Sequence, residues 1–326
     1  MLYLLVGIDT EGDNQWDPRS REHPSYDNIH ALPRLHALFA RHGVQPTYLV
    51  TWPVANDPRS ADVLRELLAG GGCEIGAHHH AWETPPTTPD DLRRHVYALE
   101  LPSERFDRQL IELTSTIERA VGERPVSYRS GRFGFAASHV HMLERAGYLV
   151  ESSVAPLFYE RHKGGPDFVE APLTPYFLAY DRATTPGSSH LLELPVSAAL
   201  NRRVPRWLAH TYARAPRNYA TKRWLRRLGL ARMLWLRPSY SSLDDMIRLA
   251  TRLHRDAVPM LNVIFHSSEA IAGGSPYNRT DAELAAFLDR LDRFFDHAIG
   301  RLGAVPATFN GFRARWIGPG GAAARE

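Results

Sequence analysis

Residues 3–13 have the sequence YLLVGIDTEGD, an apolar run that ends in three acids at alternate positions. The run is typical of a buried β-strand. An extended chain directs every second side chain to the same side, so Asp9, Glu11 and Asp13 are expected to project together. Like charges this close repel one another unless a cation or an arginine compensates them. The stretch therefore predicts a first strand that ends at a functional site, in a solvated acidic loop or at a helix cap.

Strand-like runs and helical patterns alternate along the rest of the chain. The predicted strands are 3–8, 47–51, 73–77, 126–128, 191–195 and 260–265, and the predicted helices cover about 28–42, 61–69, 90–121, 137–146, 240–256 and 281–301. Such alternation is typical of a parallel sheet with crossover helices. We therefore predict an α/β fold, a single distorted (β/α) barrel.

The predicted barrel spans residues 1–310, and a C-terminal tail follows at 311–326. Within the barrel, residues 157–258 break the alternation. They contain a loop region with several prolines and glycines, and then a basic and aromatic insertion at about 197–240.

Composition narrows the class of protein. Hydrophobic residues make up 44% and charged residues 23% of the chain, as in ordinary soluble globular proteins. The single cysteine, Cys73, cannot form an intramolecular disulfide and points to a reducing compartment. The amino-terminal run lacks the basic segment of a signal peptide, and no stretch approaches the ~20 apolar residues of a membrane span. We expect a cytoplasmic protein.

Residues 74–80, EIGAHHH, place three histidines after an apolar strand. Alternation puts His78 and His80 on one side and His79 on the other. Two imidazoles and a carboxylate form a common set for a divalent metal, with open positions for water and substrate. A lone histidine is more often a surface residue, whereas two on one side favour a metal site.

Arg129 and Arg132 follow the strand at 126–128, and His266 ends the strand at 260–265. An arginine beside a carboxylate lowers its pKa and fixes its orientation. His266 precedes two serines and Glu269, which can orient the ring for general acid catalysis. Arg129, Arg132 and His266 could each also be an ordinary residue without a catalytic role. Because parallel strands open their carboxyl ends onto one face, all these motifs can share a site there.

No Gly-x-Ser-x-Gly elbow, phosphate-binding Gly-x-x-x-x-Gly-Lys loop or Gly-x-Gly-x-x-Gly fingerprint occurs in the sequence. Cys73 lies within a strand rather than at its end, which disfavours a cysteine nucleophile. Metal-assisted hydrolysis remains the preferred chemistry.

At these residues the chain resembles the polysaccharide deacetylase family, the carbohydrate esterases with the NodB homology domain. The resemblance runs from residue 3 to about residue 300, with a poor match at 157–258. The matching segments, in order, are 9–11, 74–80, 129–132, 151–156 and His266. The fold that the resemblance implies is the NodB-type barrel with a basic insertion.

The resemblance implies roles for the residues of these segments. Asp9 would be the catalytic base, Arg129 the residue that holds it, and His266 the general acid. A divalent ion, most often Zn²⁺, would lower the pKa of bound water and polarise an amide carbonyl. Its implied ligands are Glu11, His78 and His80.

Two features depart from the family pattern. The family's second histidine lies four residues after the first, where this chain has Trp82, so His80 is the implied replacement. Asp13 is an alternative to Glu11 as the acidic ligand, and His79 is a further candidate near the metal. The residues that the resemblance places at the substrate pocket are Trp82, Arg132 and Ser153.

The implied reaction is removal of an N-acetyl group from an amino sugar of a glycan or lipid-linked glycan precursor. Two alternatives stay open. One is a non-catalytic glycan-binding or assembly protein on the same barrel, and the other is an amidase that acts on a non-sugar C–N bond.

Residues 201–240 contain eleven Arg and Lys and no Asp or Glu. Aromatic residues interleave with them at Trp207, Tyr212, Tyr219, Trp224 and Trp235. This composition is typical of a segment that settles on anionic lipid headgroups, which would place the protein peripherally on the inner face of the membrane. A polyanionic glycan or a nucleotide-sugar phosphate could use the same arginines, and a solvated or partner-binding insertion is the plain alternative. Nucleic acid is not expected.

Overall fold

A sheet of nine strands forms the centre of the computed structural model, which describes residues 1–94, 96–215, 224, 227 and 231–318. Within these residues the sheet order is β10-β1-β2-β3-β4-β5-β7-β6, and β11 also pairs with β1. Every pair is parallel except β6 with β7. The strands are β1 (Tyr3–Thr10), β2 (Pro46–Val50), β3 (Glu74–His79), β4 (Ser127–Ser130), β5 (Val150–Glu151), β6 (Tyr176–Phe177), β7 (Leu192–Glu193), β8 (Ala198–Leu200), β9 (Met233–Trp235), β10 (Met260–His266) and β11 (Val305–Pro306), of which β8 and β9 form a separate antiparallel pair.

Backbone hydrogen bonds link the free edge of β10 to the chain that follows β7. The Ser197 amide donates to the Asn262 carbonyl at 3.2 Å, and the Ile264 amide donates to the Leu236 carbonyl at 3.0 Å. The buried Asn262 side chain also donates to the Leu194 carbonyl at 2.9 Å. The sheet thus curls toward closure, which confirms the predicted distorted (β/α) barrel.

The helices of the described residues pack apolar side chains against this sheet. The longest, α7, ends at Gly122, whose φ of 82° is a left-handed cap that favours glycine. The α-helices are α1 (Pro18–Glu22), α2 (Asp27–His30), α3 (Leu32–Arg41), α4 (Trp52–Asn56), α5 (Pro58–Ala69), α6 (Pro89–Arg94), α7 (Ser103–Val121), α8 (Val140–Arg145), α9 (Arg206–Arg214), α10 (Leu243–Arg255), α11 (Asp281–Phe295) and α12 (Phe309–Ile317). Short 3-10 turns cover Ala98–Glu100, Gly131–Phe133, Ala137–His139, Arg161–Lys163 and Ser267–Ala270, and a π turn covers Asp296–Arg301.

One helix predicted from the sequence is wrong as a single element. The pattern at 90–121 is divided into α6 and α7 by an irregular stretch that contains the turn Ala98–Glu100. Pro102 is the N-cap residue of α7. Proline has no backbone N–H to donate inside a helix, so α7 begins after it instead of extending α6. The apolar periodicity on both sides is helical, so periodicity alone could not show the break.

Helix α12 covers the amino-terminal end of the barrel. Its first amides donate to side chains at the start of two strands, Phe309 to Thr47 Oγ1 at 3.0 Å and Asn310 to Glu74 Oε2 at 2.9 Å. Phe309 and Phe312 are fully buried beneath the sheet. The domain boundary predicted at residue 310 falls inside this packed helix, which ends at Ile317.

The basic insertion consists, in the described residues, of β8, α9 and β9. Trp207 on α9 is 69% exposed, whereas Tyr212 on the same helix is buried. Tyr219 and most of 216–230 lie outside the described residues. No helix among the described residues combines the length and apolarity required to cross a bilayer.

Candidate metal and catalytic site

Most of the predicted site residues meet at the carboxyl ends of four strands. In the sheet register Asp9 of β1 lies opposite His266 of β10, and His78 of β3 lies opposite Arg129 of β4. Glu11 comes two residues after Asp9. The strand pairing thus brings together motifs that are far apart in the sequence, such as Asp9 and His266.

Three buried side chains could hold a metal ion. Ligand atoms of Glu11, His78 and His80 all lie within 4.8 Å of one another. Ligands about 2.1 Å from a zinc ion lie at most about 4 Å apart. The three ligand atoms therefore lie close to the separation that one shared ion requires. One carboxylate and two imidazoles also suit a divalent metal that keeps positions open for water and substrate.

Asp9 has one oxygen anchored and one directed at the other site residues. Its Oδ1 accepts from Arg129 Nη1 at 2.6 Å. Its Oδ2 lies 3.8 Å from His266 Nε2 and 3.9 Å from His78 Nε2. Burial raises the pKa of Asp9, but the charges of Arg129, His78 and His266 outweigh burial and hold this pKa well below its usual range. Asp9 is therefore ionised and oriented.

Arg129 is completely buried and makes a fixed set of contacts. Its Nε donates to the Ser152 carbonyl at 2.8 Å and its Nη2 donates to Ser152 Oγ at 3.0 Å. Gly7 of β1 leaves the space that the guanidinium needs, since a Cβ there would lie 2.7 Å from Nη2. The guanidinium can thus reach Asp9 from inside the barrel.

His266 is held by two side chains behind it. Its Nδ1 lies 2.7 Å from Glu269 Oε1 and 3.0 Å from Arg237 Nη2, which itself donates to Glu269 at 2.9 Å. The other ring nitrogen, Nε2, lies 3.9 Å from Glu11 Oε1. His266 thus presents Nε2 to the centre of the site.

Arg237 is the main residue of the site that the sequence analysis missed, because it was counted with the basic insertion. It is buried, and its guanidinium stacks 3.9 Å above the Tyr240 ring. A signal did exist: Arg237 follows the apolar run 233–236, just as Arg129 follows its strand.

The two candidate imidazole ligands differ in protonation. Burial, the largest influence, lowers the pKa of His78 to about 3. Burial also opposes the charged form of His80, but Glu83 and Glu11 outweigh it and raise the pKa of His80 to about 10. Glu83 Oε1 lies 2.6 Å from His80 Nδ1, and Glu11 Oε2 lies 3.3 Å from Nε2.

A cavity of about 340 Å³ opens above these groups. Arg132 and Phe133 form one wall with φ angles of 54° and 60°, which side-chain-bearing residues rarely adopt. Arg132 lies 3.8 Å from the Tyr97 ring centre and donates to its hydroxyl at 2.7 Å. Backbone strain of this kind is concentrated at functional sites. The lining residues are Asp9, Glu11, Gln15, Trp16, Arg21, His78, His80, Trp82, Ser130, Arg132, Phe133, Arg237, Tyr240 and His266.

Solved structures of several enzymes share this architecture. A protein described as a glycoside hydrolase/deacetylase from Parabacteroides distasonis is 16% identical, with a TM-score of 0.62 over 97% of this chain and 71% of that chain. PuuE allantoinase is 14% identical, with a TM-score of 0.55 over 98% and 91%. A GH57-type branching enzyme from Pyrococcus horikoshii is 13% identical, with a TM-score of 0.52 over 97% and 70%.

The chain has a deacetylase-type barrel. No family model matches the sequence, and no curated protein matches it. At identities this low the likeness establishes the fold, so the chemistry has to be argued from the residues of the site.

Asp13 does not belong to the group of three side chains that could hold a metal ion. Its carboxylate accepts from the Asp27 amide at 2.9 Å and from the Asn28 amide at 3.0 Å. These are the first amides of α2, so Asp13 caps that helix. Of the two acids that the sequence left open, Glu11 lies beside His78 and His80, whereas the Asp13 carboxylate is engaged by the amides of α2.

His79 is also directed away from the cavity. Its Nδ1 lies 3.0 Å from the Tyr128 hydroxyl and its Nε2 lies 2.8 Å from Gln109 Oε1. Strand alternation sends it to the side of the sheet opposite to His78. Its candidacy as a residue near the metal is therefore wrong, since one ring nitrogen contacts β4 and the other contacts α7.

Ser153 does not line the substrate cavity. Its hydroxyl accepts from the Ser130 amide at 2.7 Å and donates to the Glu151 carboxylate, and the side chain is fully buried. Glu151 lies opposite Glu193 across β5 and β7. Burial and the nearby Glu151 carboxylate raise the pKa of Glu193 well above its usual range. Ser153 supports the strand ends beneath the site instead.

Proposed function

We propose that the protein is a metal-dependent hydrolase that removes an N-acetyl group from an amino sugar of a glycan or lipid-linked glycan precursor. The observation that carries this proposal is the convergence of Glu11, His78 and His80 in the cavity that also holds the Asp9 carboxylate and His266. Zn²⁺ suits this donor set.

The residues around the ion would perform the proton transfers of amide hydrolysis. When bound, the ion supplies a Lewis acid that polarises the carbonyl and lowers the pKa of water. Asp9, held by Arg129, accepts the proton that the attacking water loses as its oxygen bonds to the acyl carbon. His266 gives a proton to the nitrogen as the C–N bond breaks. The products are acetate and a free amino sugar.

The size and lining of the cavity support a compact polar substrate. Its volume of about 340 Å³ is at the lower end of the range for small-molecule sites. Trp16 and Tyr240 form an aromatic rim on the His266 side, and Trp16 meets the His266 ring edge-on at 4.9 Å. Since His266 protonates the departing amine, the sugar lies on this side and the acyl group lies towards Trp82.

A second candidate is hydrolysis of a non-sugar C–N bond by the same residues. The likeness to PuuE allantoinase favours it, because that match covers 91% of the allantoinase chain with a TM-score of 0.55. Release of acetate from acetylated sugars would support the first candidate. Activity on linear or cyclic amides, with none on acetylated sugars, would support the second. A purely glycan-binding role is disfavoured by the intact Asp9–Arg129 and His266–Glu269 pairs.

The metal site is tested by elemental mass spectrometry on protein purified without a polyhistidine tag. We expect about one divalent ion per chain in the wild type and its loss in His78→Ala, because removal of one of three ligands opens the site. His141→Ala is the matched control, since His141 is exposed and lies outside the cavity. A metal-free wild type after reconstitution, or retention of the ion by His78→Ala, would contradict the proposed function.

We propose further that α9 rests on anionic lipid at the inner face of the membrane. Trp207 and Leu208 are 69% and 39% exposed, and the exposed Arg202 and Arg206 precede them in the chain. Each basic residue near such a surface contributes about 1 kcal/mol of attraction, and exposed Trp and Leu side chains can enter the headgroup region.

Vesicle sedimentation tests this surface. Wild-type protein is expected to sediment with phosphatidylglycerol vesicles at low salt and to dissociate from them as the salt concentration rises. It is not expected to bind vesicles of pure phosphatidylcholine. The double variant Arg206→Gln/Trp207→Ala should lose most of this binding. Arg34→Gln/Ile111→Ala is the control, because it removes one exposed cation and one exposed apolar side chain elsewhere. Equal binding by both variants would refute a role for α9.

A further inference from the structure

The His80 ring is contacted on four sides, by Trp82, Glu83, His78 and Gly131. The Trp82 ring stacks on it with centroids 4.1 Å apart and an interplanar angle of 27°. Glu83 Oε1 lies 2.6 Å from Nδ1. His78 meets the ring edge-on at 4.5 Å. Gly131 lies against Cδ2, where an added Cβ would stand 2.4 Å away. The ring is therefore fixed in both position and rotation.

These contacts arise from a tight turn directly after β3. The amides of Glu83 and Thr84 both donate to the His80 carbonyl, at 3.2 Å and 3.0 Å. The turn brings Trp82 and Glu83 back into contact with His80, where the turn starts. Gly131 comes from the neighbouring strand, one residue beyond the pair formed by His79 and Ser130. Local turn geometry and strand pairing thus converge on one imidazole.

We propose that Trp82, Glu83 and Gly131, here called the His80 cradle, position His80 as the second imidazole ligand and thereby set the metal affinity of the protein. This inference rests on the metal site of the proposed function. His78 and His80 are only two residues apart, and His80 lies just beyond the end of β3. Its ring has to turn back towards His78 for Nε2 to come within 3.3 Å of Glu11. The cradle holds it there.

Glu83 has the most direct effect on the ligand nitrogen. A carboxylate that accepts the Nδ1 proton fixes the tautomer with its lone pair on Nε2, and it makes that nitrogen a stronger donor. The Glu83 side chain is only 14% exposed, so water screens this interaction little. Loss of such a partner lowers metal affinity by about 10–100-fold in metalloproteins. Gly131 contributes differently, because a methyl group there would displace the ring itself.

The test is the dissociation constant for Co²⁺, measured by competition with a chromophoric chelator, together with the visible absorption spectrum of the Co²⁺ protein. Glu83→Gln is expected to raise this constant by about 10–100-fold. Glu83→Asp retains the charge but is one methylene too short to reach Nδ1, and it should raise the constant as well. Gly131→Ala should weaken binding and alter the spectrum, which reports the coordination geometry.

Glu269→Gln is the matched control. Glu269 contacts Nδ1 of His266 at 2.7 Å, so this variant also removes one negative charge behind an imidazole of the same cavity. His266 is not among the three candidate ligands. Its dissociation constant should therefore change much less than that of Glu83→Gln. Circular dichroism before the titration verifies that each variant is folded.

The outcomes separate this inference from the proposed function. Absence of Co²⁺ binding by the wild type would refute the metal site itself, and with it the proposed function. Tight binding by the wild type, with equal losses in Glu83→Gln and Glu269→Gln, would assign the effect to overall charge and overturn the cradle alone. Unchanged affinity and spectrum in Glu83→Asp and Gly131→Ala would overturn it too. A selective loss in the cradle variants supports it.

Discussion

Asp9→Asn is expected to lower kcat for deacetylation by about 10²–10⁴-fold, the usual contribution of a positioned general base. Asparagine has nearly the same shape, and its carbonyl oxygen can still accept the Arg129 bond that Asp9 Oδ1 accepts at 2.6 Å. It has no basic oxygen at the position of Oδ2, so the attacking water keeps its proton. The initial rate of acetate release from the acetylated substrate of the wild type measures this change.

Metal content distinguishes a chemical defect from a collapsed site. Asp9 is not one of the three candidate ligands, so Asp9→Asn should retain the ion. Asp244→Asn is a control of the same type at an exposed position on α10. Undiminished turnover by Asp9→Asn with a full metal complement would exclude Asp9 as the base.

Arg129→Met is expected to lower the free energy of unfolding by about 3–5 kcal/mol, the usual effect of removing one partner of a buried ion pair. Methionine fills part of the space but leaves the buried Asp9 carboxylate without its counter-charge. It also removes the donors to the Ser152 carbonyl and hydroxyl. Urea unfolding followed by circular dichroism gives the change in midpoint and free energy.

A double-mutant cycle assigns this loss to the ion pair. Adding Asp9→Asn to Arg129→Met should recover part of the lost stability, because the neutral amide no longer needs a buried counter-charge. Arg34→Met, at an exposed position of α3, should change the free energy of unfolding by less than about 0.5 kcal/mol. Strictly additive effects of the two site substitutions would show that Arg129 stabilises the barrel independently of Asp9.

Much of the fold could be predicted because its signals are local. The apolar run at 260–265 and the one at 3–8 were predicted as strands, and they pair along their whole length as β10 and β1. The break between α6 and α7 could not be predicted from periodicity, since both parts show a helical pattern. The packing of α12 was also missed, because its anchors Thr47 and Glu74 are remote in sequence.

The position of each site residue at a strand end was likewise a local signal. Alternation correctly separated His78 and His80 from His79, because successive side chains of a strand face opposite sides. Alternation could not choose between Glu11 and Asp13. That choice depends on a turn after Glu11, which gives Asp13 the amides of α2 as partners.

The sequence by itself determined the order of the main strands and helices and the chemical types that gather at one end of the barrel, since both follow from side-chain periodicity. Only the tertiary structure determined which of these groups touch. Arg237 reaches His266 and Glu269, and Gly131 makes room for His80, through packing between separate segments of the chain. Contacts of this kind depend on sub-ångström positions set by the whole barrel, and no local pattern of residues specifies them.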